Sequence, residues 1–400
     1  MTKKWVNIAD VLFFQEGPGV RNTQYTTSGV KLLNVANLVD GKVDLSKSDR
    51  YISEEEAYGK YRHFLCDDGD FVIASSGIKV EYIDKKMGFV DASMLPLCMN
   101  TSTIRFKVLD ENQLRIRYFM YYLKSKHFKE QLTKQITGSA QLNYGPSHLK
   151  KMIMPLIDIT VQDEIISCMD KLQSIIETRQ RELIELDRLM KARFVEMFGD
   201  PIQNPKGWEV VTIGDIVTEV RYGTSKPAVE GGKYPYLRMN NLTADGHLDL
   251  NDLKYIDIPD DEIEKCVVRK GDVLFNRTNS IELVGKTAVF DLPEDMIIAG
   301  YIIRVRLTEK MLPEVLSQYM NLEALKGILR GMAKGAVNQA NINAQELQSI
   351  KVYIPEMELQ KQFVKMKEQI YKSKFDTMTF APIYAIINLY LHTFFYQGRR

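Results

Sequence analysis

The chain has 400 residues, too many for one ordinary hydrophobic core, so two or three domains are expected. With 53 basic and 52 acidic side chains the net charge is +1, which neither demands nor excludes a nucleic-acid partner. The apolar fraction of 45% is that of a globular protein. Cys66, Cys98, Cys168 and Cys266 are scattered without a CxxC pair, which fits a reduced, cytoplasmic protein rather than a disulfide framework.

The N-terminal stretch MTKKWVNIADVLFF carries no hydrophobic run of signal-peptide length. Short β-rich runs follow, LLNV, FVIASS and TIRFKV, and then a helical stretch over 113–136. A polar loop, GSAQLN, leads into a long segment from Val161 to Phe198 that contains neither glycine nor proline. Its apolar residues Ile165, Met169, Leu172, Ile176, Leu183, Leu186, Met190 and Met197 keep a seven-residue repeat, the seam of a coiled coil. Such a helix would be roughly 50 Å long. The Pro/Gly-rich run Asp200–Gly207 ends it.

The same order then recurs. Trp5, Ile8, Asp10 and Val11 answer Trp208, Ile213, Asp215 and Ile216. Asn37-Leu38, Gly41 and Asp44-Leu45 answer Asn241-Leu242, Gly246 and Asp249-Leu250, and Gly69-Asp70 answers Gly271-Asp272. Gln141, Asn143, Leu149 and Gln162 match Gln339, Asn341, Leu347 and Gln360 at a constant offset of 198. A period near 200 residues is too long for a solenoid unit and reads as a domain-plus-helix module duplicated in tandem. The division expected is a first domain over 1–150, a spacer helix over 151–200, a second domain over 201–348, a shorter spacer helix over 349–376 and an apolar tail over 377–400. The second helix carries Phe363, Met366 and Ile370 and loses its pattern after Phe375. Two such helices leaving equivalent domains are expected to pair antiparallel. Packing of each on its own domain is the alternative. The tail, interrupted by Pro382 and His392, is borderline for a membrane span, and a buried or disordered end is the plainer expectation.

Catalytic motifs are missing. Gly285-Lys286-Thr287 lacks the upstream glycine of a phosphate loop, no GxSxG or HExxH occurs, and the five histidines lack metal-ligand spacing. No catalytic or metal site is expected. Binding residues are plentiful. Ten Lys or Arg stand against three acids in 103–151, and seven against four in 300–351. That bias suits either a phosphate backbone or a solvated helix face. Loops at matching places tilt the balance. One offers Arg21, Asn22, Gln24 and Tyr25, another Ser75, Ser76 and Lys79. Their counterparts offer Arg221, Tyr222, Thr224, Ser225 and Lys226, then Arg238 and Asn240, then Arg277, Thr278 and Asn279. Arg reads guanine, Asn and Gln read adenine, and Ser or Thr reads either. The Gln and Asn of the GSAQLN and GAVNQAN loops are expected to fix the junction with the helix, a base contact being the sharper alternative.

Together these features resemble the DNA-specificity subunit of type I restriction–modification systems. The carriers are the module starts at Trp5 and Trp208, the runs at 37–45 and 241–250, the Gly-Asp strands, the Gln/Asn loops with Gln162 and Gln360, and LDRLMKARFVEMFGDP (186–201). The resemblance covers about residues 5–375. It implies an α+β chain of two tandem mixed α/β target-recognition domains, joined by long helices that pair as an antiparallel coiled coil. Each domain would read one half of a bipartite site on double-stranded DNA. The helices, through Leu172, Ile176, Leu183, Leu186, Met190, Phe363 and Ile370, would set the spacing and dock two modification subunits. S-adenosylmethionine and ATP belong to the partners, the modification and restriction subunits, and the chain itself would be non-catalytic, with no cofactor and no membrane. Residues 376–400 depart from the expected continuation, and a frameshifted or rearranged end would weaken one docking site. A DNA-free coiled-coil adaptor and a nuclease-type enzyme are the alternatives.

Overall fold

The computed structural model describes residues 3–136, 142–336, 339–378 and Phe395. Gln141 and nearly all of the apolar tail therefore lie outside the described residues. By internal contacts the chain forms two units, residues 1–178 with 380–400, and residues 179–379. Their boundary falls inside the central helix, which runs from Ile159 to Phe198. The segment expected as spacer from 151 begins instead with a strand, Ile153–Leu156, and the second helix, Met357–Met378, is likewise preceded by Lys351–Ile354.

Each unit is built on the same plan. In the first, an antiparallel four-stranded sheet has the order Leu12–Glu16, Thr103–Val108, Phe71–Ala74, Met87–Phe89. In the second the order is Val217–Tyr222, Ile302–Leu307, Val273–Asn276, Thr287–Val289. A two-stranded ribbon closes each module: Lys4–Asn7 pairs with Ile153–Leu156, and Glu209–Thr212 with Lys351–Ile354. Helices Ile116–Lys124 and Pro313–Met320 cover equivalent sheets with buried aromatics such as Tyr118, Phe119 and Tyr319.

The repeated polar residues are internal braces. Gly69 and Gly271 take φ of +81° and +93°, a backbone region open to glycine, and the aspartate that follows caps its own turn. Asp70 Oδ2 accepts from Asp67 N and Asp272 Oδ2 from Arg269 N, each at 2.8 Å. Asn37 and Asn241 are buried and hold their loops through Asn34 N and Arg238 N at 2.9 Å, and through the carbonyls of Asp44 and Asp249. Gln162 is fully buried, accepting from Arg115 N and donating to the carbonyls of Gln113 and Ile157. Gln360 repeats this with Leu312 N, Lys310 O and Pro355 O. Each glutamine thus fixes where its long helix leaves the module.

Each module also buries an arginine in its central strand. Arg105 reaches the carbonyls of Leu65 and His63 and the carboxylate of Asp70. Arg304, with no exposed surface, reaches Val267 O and pairs with Glu219 at 2.7 Å. The basic counts in 103–151 and 300–351 are partly spent on such internal contacts, including Arg115–Asp163, Arg117–Asp170 and Arg306–Asp272. The expected basic footprint is correspondingly smaller than the composition implies.

In the first unit the central helix packs Ile165 and Met169 on its own module's core. In the second unit it pairs with the second long helix. Phe363 lies 5.3 and 5.4 Å, ring to ring, from Phe194 and Phe198, and Lys374 pairs with Asp187. The partners shift toward the start of one helix as they shift toward the end of the other, so this pair is antiparallel. Met190, Phe194 and Phe198 are buried at four-residue spacing, so the heptad seam gives way to a broader stripe at this end. Leu172, Leu186 and Leu183 are partly buried, and Ile176 and Ile370 are buried. Phe395, within the tail, packs its ring against those of Tyr118 and Tyr122 of the first unit.

Candidate nucleic-acid interface

In the second module the first sheet strand ends at Tyr222, and Gly223 follows. A Cβ at Gly223 would overlap the carbonyl oxygens of Ile298 and Ala299, so no larger residue lets the chain turn there. Thr224 N donates to Ile298 O and Gly300 N to Thr224 O, clamping this loop onto 298–300. Two strands over in the sheet, buried Asn276 donates to the carbonyls of Thr278 and Tyr301, each at 3.1 Å. Arg277 is thereby held with its guanidinium 4.8 Å from the ring centre of Tyr222. Its Nη2 donates to Asn341 Oδ1 at 3.1 Å and its Nη1 to Gly300 O at 3.4 Å. Thr278 and Asn279 pair with Asn341 and Ala340 of a hairpin whose other strand is Lys334–Ala336. The structure therefore brings Tyr222, Arg277, Thr278 and Asn279 together.

The first module has the same frame with other side chains. Its first strand ends at Glu16, and a Cβ at Gly17 would overlap Asn100 O. Ser75 donates its backbone N–H to Ser102 O, as Arg277 does to Tyr301 O. The carbonyl of Ser75 accepts from Tyr144 N, as that of Arg277 accepts from Ile342 N. Ser76 pairs with Asn143, as Thr278 does with Asn341. Ser75 Oγ donates to Glu16 Oε1 at 3.2 Å. Asn143 and Asn341 thus tie their loops to the strand that carries Ser76 or Thr278, and Asn341 also holds Arg277, rather than bonding the start of the long helix.

Other candidates sit apart on their own turns. Arg21 and Asn22 are exposed, but Gln24 donates to Glu56 at 2.6 Å and to Tyr61 at 3.0 Å. Tyr25 accepts from Asn100 and lies under Arg50. These two side chains brace their loop from within. Lys79, Ser225 and Asn240 are exposed. Arg221 bonds Glu219, Lys226 pairs with Glu262, and Arg238 pairs with Asp252. Lys286, buried, donates to the carbonyls of Met239 and Leu242, and Lys326 to Gly285 O at 2.6 Å. Two interior ammonium groups therefore hold the loops that carry Asn240 and Arg277–Asn279. Burial pushes both lysines below the usual range, Lys326 to about 7 with Arg330 adding to the effect.

Glu16 escaped the sequence reading because its partner is 59 positions away and no local motif joins them. Tyr301, half-exposed beside Arg277, was missed for the same reason. Asp187, Asp245 and His247 place donor atoms within 4.8 Å of one another, but Lys374 is bonded to Asp187 and lies 3.8 Å from Asp245. The lysine ammonium fills the cation position. Among the described residues no helix is long and apolar enough to cross a membrane.

Residues 18–188 and 205–382 match, one stretch per module, the family described as "Type I restriction modification DNA specificity domain". The specificity subunit of the type I restriction enzyme EcoKI of Escherichia coli K12 is 22% identical over 270 residues, covering 64% of this chain and 58% of that subunit. A putative type I restriction enzyme MjaX specificity subunit of Methanocaldococcus jannaschii is 32% identical over 166 residues, 40% of this chain and 39% of that protein. The chain thus spans roughly half the length of these relatives. Among solved structures, a chain from a study of complex assembly and conformational transition in a type I restriction–modification system superposes with a TM-score of 0.57. Its identity is 17%, over 97% of this chain and 96% of that one. The S subunit of the type I system of M. genitalium gives 0.55 at 15% identity, over 99% and 97%. These two likenesses establish a shared fold.

Proposed function

Because the chain belongs to the type I restriction modification DNA specificity family, we propose that it is the sequence-reading subunit of such a complex. Each module reads one half of a bipartite site on double-stranded DNA. The long helices fix the distance between the half-sites and dock two methyltransferase subunits, which restriction subunits join. S-adenosylmethionine and ATP chemistry resides on those partners, and this chain supplies recognition.

One observation carries the reading. The two modules keep the same buried braces, Asn37 and Asn241, Asp70 and Asp272, Gln162 and Gln360, while the side chains mounted between them differ. A frame duplicated with changed contact residues is what reading two different half-sites requires. The central helix of 40 residues would be about 60 Å long, against about 34 Å for one turn of DNA. It also leaves Ile184, Leu189 and Val195 exposed on its second half, apolar surface suited to a docked subunit.

The test is a salt series of duplex-binding measurements on the full chain with a type I modification subunit. Binding that is stronger to one bipartite sequence at every salt concentration supports the proposal. Equal affinity for all duplexes across the series would sink it.

A further inference from the structure

Two positions stand out when the modules are laid on each other by their hydrogen bonds. Glu16 and Tyr222 both end the first sheet strand, opposite Ile104 and Ile303, and both precede a glycine pressed against a carbonyl. Ser75 and Arg277 both follow the second strand, with the same backbone partners on either side. In each module the two residues touch: Ser75 Oγ to Glu16 Oε1 at 3.2 Å, and the Arg277 guanidinium 4.8 Å from the Tyr222 ring centre. The backbone frame is retained, and the chemistry is inverted. One module presents a carboxylate there, the other a guanidinium.

We propose that Glu16 and Arg277, on opposite members of this matched pair of positions, are the specificity-determining residues, Glu16 selecting a base with an exposed amino group and Arg277 selecting guanine. The assignment rests on reading each module as a DNA-recognition domain. An ionised carboxylate only accepts hydrogen bonds. Glu16 spends one oxygen on Ser75, and its Oε2 has no hydrogen-bond partner among the described residues. In the major groove the amino groups on offer are N4 of cytosine and N6 of adenine, and a glutamate accepts from such a donor. A guanidinium only donates. Arg277 uses one N–H of each terminal nitrogen internally, which leaves one on each and makes a fork. Guanine O6 and N7 are the acceptor pair that such a fork fits. Stacking on Tyr222 and the bond to Asn341 fix the plane of the fork before DNA arrives.

The test uses the full chain co-expressed with a type I modification subunit, with methylated sites read across the genome. Three variants are compared with the wild type: Glu16→Ala, Arg277→Met and Arg277→Lys, the last keeping the charge without the fork. Glu16→Ala is expected to relax one base pair of one half-site by roughly 10- to 100-fold in discrimination, with the other half-site unchanged. The base preferred there by the wild type, cytosine or adenine, shows which amino group is read. Both Arg277 variants are expected to relax a guanine in the opposite half-site by a similar factor. In each case the untouched half-site shows that the chain is folded and assembled. Selection unchanged in every variant, both half-sites weakening together, or a relaxed base of the wrong chemistry overturns the assignment. A wild-type chain that directs methylation without sequence selection overturns the reading of the modules themselves.

Discussion

Replacing Gln360 by leucine would remove one of the two matching buckles between a module and its long helix. Leucine is close in volume, so no large cavity opens, and the loss is confined to hydrogen bonds. Gln360 makes three of them: from Leu312 N at 2.9 Å, to Lys310 O at 3.1 Å and to Pro355 O at 2.8 Å. Each is worth about 1 kcal/mol net, and a backbone group left buried without a partner costs about 1–3 kcal/mol. Lys310 is exposed, so its carbonyl recovers water, whereas Pro355 is buried. The expected loss is therefore about 2–4 kcal/mol. For a unit of this size that lowers the melting temperature by roughly 5–15 °C. Gln360→Glu should be at least as damaging, because a carboxylate offers no N–H to the two carbonyls. Urea and thermal unfolding of both variants measure this directly, and Gln162→Leu should repeat it in the first unit. A loss below about 1 kcal/mol for Gln360→Leu, or a glutamate variant as stable as wild type, would refute the role given to these glutamines.

Arg304→Met should cost about 3–5 kcal/mol in urea unfolding, since Glu219 and the carbonyl of Val267 lose a fully buried partner. Phe194→Ala empties a site packed on Phe198, Tyr319 and Phe363 and should cost about 3–5 kcal/mol, measured the same way. Lys326 provides a pH signature. Its folded value, about 7, lies below its ordinary value of 10.5, so between these limits the unfolded chain holds a proton that the folded chain has released. Stability from this group therefore rises with pH from about 7 to 10, by at most about 1.4 kcal/mol per unit, and is flat below 7. Unfolding free energies of wild type and Lys326→Met at pH 6.5, 8 and 9 (conditions set by roughly that window) should diverge in slope, and parallel curves would count against it.

The duplication was legible because it lies in residues that serve the frame. Gly-Asp turns, Asn braces and helix-entry glutamines admit few substitutes, so they recur in order in both modules. The long helix was legible for its length and lack of glycine and proline. Its far end differs from the seam expected: Phe194 and Phe198 step by four, outside the heptad template, because that end rests on a domain core as well as on a partner helix. Buried charge was harder. Arg105 and Arg304 read as basic surface in a sequence count, and only the closed sheet shows them bonded to carbonyls inside. Of the contact loops, Tyr222 and Arg277 were found by residue type. Their meeting depends on two strands flanking a third, Ile302–Leu307, as that of Glu16 and Ser75 depends on Thr103–Val108, and no periodicity records it.

The ribbon that closes each module has a consequence for how such a chain can change. Lys4–Asn7 lies beside Ile153–Leu156, and Glu209–Thr212 beside Lys351–Ile354, so the chain enters and leaves each module through neighbouring strands. Everything between them is a closed excursion from a fixed doorway. A different excursion inserted at the same doorway would leave the departure point of the long helix where it was, because that point is tied to the ribbon. On the function proposed above, exchanging the whole excursion at these two adjacent seams would change what one module reads without moving the long helix.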